Sequence, residues 1–202
     1  GTYELALELG IKAVKHPRNR GYGGNQKTCY ALALERGADI VVMLHPDYQY
    51  DPRVIPFMTG IIEDGICDVV LGNRIRTRAE ALSGGMPVYK YLANRFLTAI
   101  ENLAAGQNLG EWHSGLRAYS RAALENINWA DNSEGFAFDS QYLFQAAFKG
   151  LRLGDIPVPA RYFPEASSIA FAGGVRYGLL TLLAAAEFLL NKTGLARTAR
   201  YR

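Results

Sequence analysis

Little in this 202-residue sequence points to a covalent framework, a targeting segment or a polyanionic partner. There are two cysteines, Cys29 and Cys67, without metal-type spacing. A disulfide scaffold is therefore not indicated, and a reducing, cytoplasmic setting is the simpler reading. The formal charge of +3 is too small to argue for nucleic acid. There is no internal repeat, no low-complexity segment and no G-x-x-x-x-G-K-[ST] phosphate loop. The first residues do not read as a signal peptide. The chain starts at Gly1 and runs straight into a helical pattern, Tyr3 to Leu9, so we expect residues upstream to be missing. What is present, 49% apolar and 20% charged, is the composition of an ordinary globular domain with enough chain for a substantial core.

The most informative stretch is Ile40 to Pro52. An apolar run, Ile40 to Leu44, stops abruptly in His45-Pro46-Asp47-Tyr48-Gln49-Tyr50-Asp51-Pro52. It reads as a buried strand whose C-terminal end delivers polar groups to a surface, where open α/β sheets bind ligands. His45, Asp47 and Gln49 alternate, so in extended chain they share one face and form a candidate ligand set for a divalent cation. Alternatively, Asp47 caps the next helix and His45 is merely solvated. Asp51 and Pro52 have the chemistry of a helix start.

Around this strand, Leu5, Leu7 and Leu9 before Gly10 read as a helix ending at a glycine, and Ile11 to Val14 as a short strand. Glycines 21, 23 and 24 precede a helix at about 24–37; they serve either a phosphate held on free N–H groups or simply a tight turn. Asp68 to Arg74 is a further strand, with Arg74 at its C-terminal end. Strands separated by helices imply βαβ units, a parallel sheet, and His45 and Arg74 at one edge of it. Residues 75–87 lack periodicity and read as a mobile loop, a lid or a plain surface excursion. Helix 88–105 should bury Tyr91, Leu92, Phe96, Ile100 and Leu103, leaving Asn94 and Arg95 to solvent by default. Ser120 should cap a short helix at 121–126, and Asp139 either caps the helix running to Lys149 or is a reacting carboxylate. Leu151 to Tyr162 reads as an edge strand because of Pro157 and Pro159. Val175 to Leu190 is strongly apolar but shorter than a spanning segment and carries Glu187. With Lys192, Arg197, Arg200 and Arg202 behind it, this stretch suits an anionic membrane surface, or else packs on the core with a frayed basic tail.

Four segments, in order, carry a resemblance: Asn19-Arg20-Gly21-Tyr22-Gly23-Gly24, His45-Pro46-Asp47-Tyr48-Gln49-Tyr50-Asp51-Pro52, Gly72-Asn73-Arg74, and Ser114-Gly115-Leu116-Arg117 with Glu111 upstream. They resemble the N-x-G-x-G, D-x-D-x-Q-x-x-P, G-S-R and S-G-F-R segments of family-2 inverting glycosyltransferases, in the branch acting on dolichyl and polyprenyl phosphates. The resemblance implies an α/β fold of GT-A type, a Rossmann-like, mostly parallel sheet flanked by helices, with a C-terminal amphipathic helix. It divides the chain into a catalytic region, 1–173, and an apolar helix with a basic tail, 174–202. It implies a nucleotide-sugar donor, a lipid-phosphate or sugar acceptor, Mg²⁺ or Mn²⁺, and a cytoplasmic enzyme peripheral to the inner face of the membrane. Carried over by position, Asp47 is an expected catalytic residue, and His45, Asp47 and Gln49 the metal site; Glu111, and Asp139 outside the four segments, are the candidate catalytic carboxylates for a sugar-hydroxyl acceptor. Asn19, Gly21, Gly23, Arg74, Ser114 and Arg117 are the expected substrate contacts; either arginine has a structural ion pair as its rival role. Two departures stand out. His45 replaces the usual first aspartate, which weakens metal binding, favours Mn²⁺ over Mg²⁺, or turns the imidazole towards the nucleotide. The family's N-terminal strand and its D-D-G-S-type segment are absent. Other classes remain: a non-catalytic relative kept as a binding module, and a nucleotidyltransferase.

Overall fold

The computed structural model of the chain describes residues 1–161 and 171–202. In chain order these form α1 (Thr2–Glu8), α2 (Gly21–Glu35), β1 (Ile40–Leu44), α3 (Ile55–Glu63), β2 (Val69–Asn73), α4 (Arg78–Ser83), α5 (Val88–Ala105), β3 (Leu116–Ser120), α6 (Arg121–Glu125), α7 (Phe138–Phe148), β4 (Leu153–Pro157) and α8 (Phe171–Lys192). Short 3₁₀ turns lie at Pro52–Val54, Trp129–Asp131 and Ala199–Tyr201.

The sheet order is β1-β3-β2-β4. β3 pairs antiparallel with both β1 and β2, and β4 pairs parallel with β2. Hence β1, β2 and β4 run the same way, the mostly parallel α/β sheet expected, but β1 and β2 are not neighbours. The inserted β3 was not legible as a strand, and it decides where the polar groups meet. The C-terminal ends of β1 and β2 and the N-terminal end of the antiparallel β3 fall at one end of the sheet, with Leu44 opposite Leu116. His45, Arg74 and Gly115 therefore arrive together.

Alternation along the strands feeds two cores. Val70, Leu116 and Ala118 pack with Tyr50, Met58 and Ile62 under α3. Val69, Leu71 and Tyr119 pack with Tyr30, Trp112, Phe138, Tyr142, Phe144 and Phe188 on the other face. Arg117 points into this second, aromatic layer and is fully buried.

Several expectations change. Ile11–Val14 is no strand: the segment has no ladder partner among the described residues, and Ile11 and Val14 are exposed. Residues 75–87 are no structureless loop. Thr77 Oγ1 accepts from the Glu80 N–H at 3.1 Å and caps α4, Arg76 pairs with Glu80, and Ala81 packs with Ile75 and Met86. Helix α5 has the expected ends but a rotated inward face: Tyr91, packed on Ile75, Ala81 and Met86, and Ile100 are half-buried as expected, the others are not. Leu92, Phe96 and Leu103 are 59%, 61% and 86% exposed, whereas Thr98 and Glu101 are fully buried. β4 is indeed an edge strand and stops at Pro157; the expected end, Tyr162, lies outside the described residues. The basic tail is not frayed. Arg200 pairs with Glu187 at 2.6 Å, and Tyr201 is buried against Phe148 and Phe188. Among the described residues one helix, Ala172–Lys192, is long and apolar enough to cross a membrane by length and composition. One of its faces, with Thr181, Ala184, Ala185 and Phe188, is buried in the protein.

Candidate active site

The corner after β1 is not extended. Tyr48 has φ +58°, a left-handed conformation that a bulky residue adopts only where its surroundings impose it. Asp47 Oδ1 accepts from the Gln49 N–H at 3.1 Å and closes the turn. His45, Asp47 and Gln49 therefore do not line one face of a strand, as their alternation suggested. Gln49 is buried, while His45 and Asp47 are half-buried. Asp51, not Asp47, caps the following turn, accepting from the Arg53 N–H at 3.0 Å.

His45 is held on three sides. Its Nε2 lies 3.2 Å from Tyr22 Oη, its ring meets Tyr50 edge-on, and a Cβ at Gly115 would lie 2.4 Å from Nδ1. The glycine of Ser114-Gly115-Leu116-Arg117 is thus the space His45 occupies. Tyr22 Oη also donates to Asp139 Oδ2 at 2.8 Å. Burial, reinforced by Asp139, pushes the Tyr22 phenol pKa well up, so it stays a donor there. Its remaining lone pairs then accept from His45, which assigns the Nε2–H tautomer. Burial lowers the His45 pKa, so the ring is neutral near pH 7.

Asp139 sits in the first turn of α7 and is not its cap. Its Oδ2 also lies 3.3 Å from Arg117 Nη2. Arg117 donates to the carbonyls of Ser114 at 2.8 Å and Trp112 at 2.9 Å. Burial works against the guanidinium charge, but the Asp139 carboxylate together with the surrounding tyrosines Tyr119, Tyr22 and Tyr177 outweighs it and raises the pKa. Among the described residues Arg117 Nη1 and Asp139 Oδ1 have no hydrogen-bond partner.

Glu111 is fully buried and fully engaged. It accepts from Arg74 N at 2.9 Å, from Arg74 Nε at 3.0 Å, from Arg74 Nη2, and from Asn94 Nδ2 at 3.0 Å. Burial opposes its ionisation, yet Arg74 holds the carboxyl below its usual range. Arg74 in turn donates to His113 O at 2.9 Å and faces the Tyr50 ring at 5.9 Å. Asn94 and Arg95, expected in solvent, point inward; Arg95 donates to Gly110 O. Ser114 Oγ is buried in its own turn, accepting from the Leu116 N–H at 3.2 Å.

The glycine stretch makes no open phosphate cradle. The N–H groups of Gly23 and Gly24 are taken by Glu134 O at 2.7 and 3.3 Å, and that of Gly21 by Asn19 Oδ1 at 2.7 Å. The glycines admit the 133–135 loop: a Cβ at Gly23 would lie 2.1 Å from Ser133 O and 3.0 Å from Phe138 Cβ. Lys27 fixes that loop through Asn132 O at 2.6 Å and Glu134 at 2.7 Å. Gly23→Ala should cost about 1–3 kcal/mol or more by overpacking. Gly60→Ala, with nothing within 4 Å of its Cβ on α3, should be neutral or stabilising. Urea unfolding of the two variants checks the contrast, and an equal effect would contradict the loop docking.

Sequence reasoning missed Tyr22, Asn94, Tyr50 and His113. Tyr22 was hidden among glycines read for backbone freedom, and Asn94 on a helix face read as solvated. Tyr50 Oη accepts from the Gly115 N–H at 2.6 Å, a bond no spacing rule supplies.

The chain is similar to the low-salt glycan biosynthesis hexosyltransferase Agl6 of Haloferax volcanii, 30% identical over 96% of this chain and 45% of that protein. It is also similar to the UDP-N-acetylglucosamine–dolichyl-phosphate N-acetylglucosaminyltransferase of Methanococcus voltae, 32% identical over 75% and 60%. It thus spans roughly half the length of these two relatives. Among solved structures, glucosyl-3-phosphoglycerate synthase of Mycobacterium tuberculosis superposes with TM-score 0.62 at 20% identity, over 96% of this chain and 65% of that one, a likeness of GT-A-type fold. The sequence pattern of glycosyl transferase family 2 matches residues 1–127, and on that match the chain belongs to this family.

Proposed function

We propose that this chain carries the transfer machinery of an inverting glycosyltransferase that moves a sugar from a nucleotide-sugar donor to a polyprenyl phosphate at a membrane surface. The observation that carries this reading is the meeting of the Asp47 corner, Asp139, and the Arg74–Glu111 pair at one end of the sheet. Curated relatives named for dolichyl-phosphate and undecaprenyl-phosphate transfer support the acceptor class.

A divalent cation fits as a one-carboxylate site. Among the described residues no three His, Cys, Asp or Glu side chains converge as ligands. Mg²⁺ and its like are commonly held by one or two carboxylates, the rest coming from substrate phosphates and water. Asp47 is the carboxylate placed for this. The His45 ring is engaged with Tyr22 and Gly115, so we assign it to holding the corner and not to binding metal. Gln49 contributes the turn-closing N–H. A bound cation would neutralise charge growing on the leaving diphosphate.

The other roles follow from access. Arg74, with 14% of its side chain exposed, is the arginine placed to meet a phosphate. Arg117 acts through Asp139 and the loop carbonyls it organises. A polyprenyl phosphate is already ionised and needs no general base. For a hydroxyl acceptor we assign the proton to Asp139, which Tyr22 and Arg117 hold beside His45; Glu111, locked by Arg74, is not available.

The membrane side rests on two adjacent helices. Val88, Leu92, Phe96 and Leu103 on α5, and Val175, Leu179, Leu183 and Leu190 on α8, are exposed at the same helical spacing. Gly178 of α8 meets Leu97 of α5 between the rows. With exposed Arg78 and Arg176 nearby in sequence, this surface suits anionic lipid.

The test presents the 202-residue chain with Mg²⁺ or Mn²⁺, a panel of UDP- and GDP-sugars, and polyprenyl phosphate in anionic vesicles. We expect nucleoside diphosphate release that depends on the lipid phosphate. Pyrophosphate release when the chain is given a nucleoside triphosphate and a sugar 1-phosphate instead would make the protein a nucleotidyltransferase, and no release with any of these substrates would leave a binding module.

A further inference from the structure

Between β2 and β3 the turn Trp112–Ser114 presents three consecutive carbonyls to two arginines. Trp112 O and Ser114 O hold Arg117, and His113 O holds Arg74. The backbone at this point therefore sets the direction of both guanidinium groups. The His113 side chain leaves on the opposite side and is buried between two helices. Its Nδ1 lies 2.7 Å from Tyr177 Oη on α8, with the rings edge to face at 5.4 Å. Its Nε2 lies 3.1 Å from Glu101 Oε2 on α5, bent off the hydrogen-bond line. Glu101 is fully buried and accepts from Ser140 Oγ of α7 at 2.9 Å. Burial pushes the Tyr177 phenol pKa up, so the hydroxyl keeps its proton beside the imidazole.

No step of the transfer reaction uses these groups, yet they are costly ones to bury. A buried carboxylate and imidazole are retained only where their partners are fixed, and such networks define one arrangement in preference to others. Here the fixed arrangement joins the two helices that carry the outward apolar rows to the turn that aims the arginines.

We propose that His113 is a positioning residue: through Tyr177 and Glu101 it ties α8 and α5 to the Trp112–Ser114 turn, so that the seating of α8 and the aim of Arg74 and Arg117 change together. The kinetic consequence rests on the transferase reading above; the physical coupling does not.

Two measurements on the 202-residue chain separate them. Hydrogen exchange followed by mass spectrometry needs no activity. Tyr177→Phe removes one hydroxyl on α8. It should speed exchange in the peptide spanning 111–118, and should do so no further when His113→Ala is already present. Faster exchange confined to α8, with 111–118 unchanged, would overturn the coupling. In the transfer assay with a UDP- or GDP-sugar that the wild type turns over, His113→Ala should lower kcat about tenfold or more, since small misplacements near reacting groups are expensive. The donor KM should stay within about twofold, because arginine aim matters most as charge develops. His113→Asn, which restores a polar atom near the Nδ1 position, should recover most of that loss. Equal losses for alanine and asparagine, or a change in KM alone, would mark His113 as mere packing. A wild type that turns over no donor, with the exchange coupling intact, would remove the transferase reading and leave the linkage standing.

Discussion

Arg117→Met should lower the unfolding free energy by about 3–5 kcal/mol, the usual cost of removing one partner of a buried ion pair. Arg117 lies in β3, between β1 and β2, and its guanidinium is out of reach of water. The substitution leaves the carbonyls of Trp112 and Ser114 without their donors and Asp139 without its counter-charge. Arg117→Lys should lose nearly as much, because an ammonium is a point charge and cannot reach two carbonyls and a carboxylate in the planar fork that arginine supplies. Pairing Arg117→Met with Asp139→Leu should recover part of the stability, since an apolar pair can replace a buried ionic one at little cost, while transfer activity stays lost. Urea midpoints at constant m-value measure all of this. Loss of activity with stability kept to within about 1 kcal/mol would mean that Arg117 faces a ligand in solution, the role its place in the motif first suggested.

The burial of Arg117 and the polar inward face of α5 have one origin. The rule that apolar faces turn inward assumes water outside and hydrocarbon inside. In β3 the alternation Leu116-Arg117-Ala118-Tyr119 looks half-solvated, yet both faces are covered, because Arg117 brings its own partners into the core. In α5 the polar residues Asn94, Arg95, Thr98 and Glu101 point at the polar corner they support, and Leu92, Phe96 and Leu103 are left outside. Several helix ends were legible because they depend on local chemistry, whereas α2 starts at Gly21 and not at about residue 24. Asp51 before Pro52 and Ser120 before Arg121 act within a few residues. The meeting of His45, Arg74 and Gly115 was only half legible. Strand direction follows from the crossover rules, but the insertion of β3 depends on pairing across dozens of residues, which leaves no periodic signal. The glycines at 21, 23 and 24 were visible as permission for a close approach. Which group approaches, the Ser133–Glu134 backbone, is a tertiary fact.

Asp47→Ala should cut the transfer rate on the order of 10²-fold or more, the scale of removing a principal electrostatic group from a site that stabilises developing charge. The stability cost should be small by comparison. Asp47 is half-buried, and its turn-closing bond to the Gln49 N–H is worth about 1 kcal/mol. That ratio of effects, large on rate and small on unfolding, is the reverse of the one expected for Arg117→Met, and the two variants together separate chemistry from scaffold. Asp47→Asn sharpens the test. The amide oxygen still accepts from Gln49, so the Tyr48 corner should keep its left-handed turn, while the charge that would hold a cation is gone. The asparagine variant should therefore be as slow as alanine, nearly as stable as wild type, and less responsive to added Mn²⁺ across a titration. Wild-type turnover in either variant would take the metal role from this corner. Recovery in asparagine alone would reduce Asp47 to a turn-former and make Asp139, the carboxylate at this end of the sheet that Arg74 does not lock, the group to substitute next.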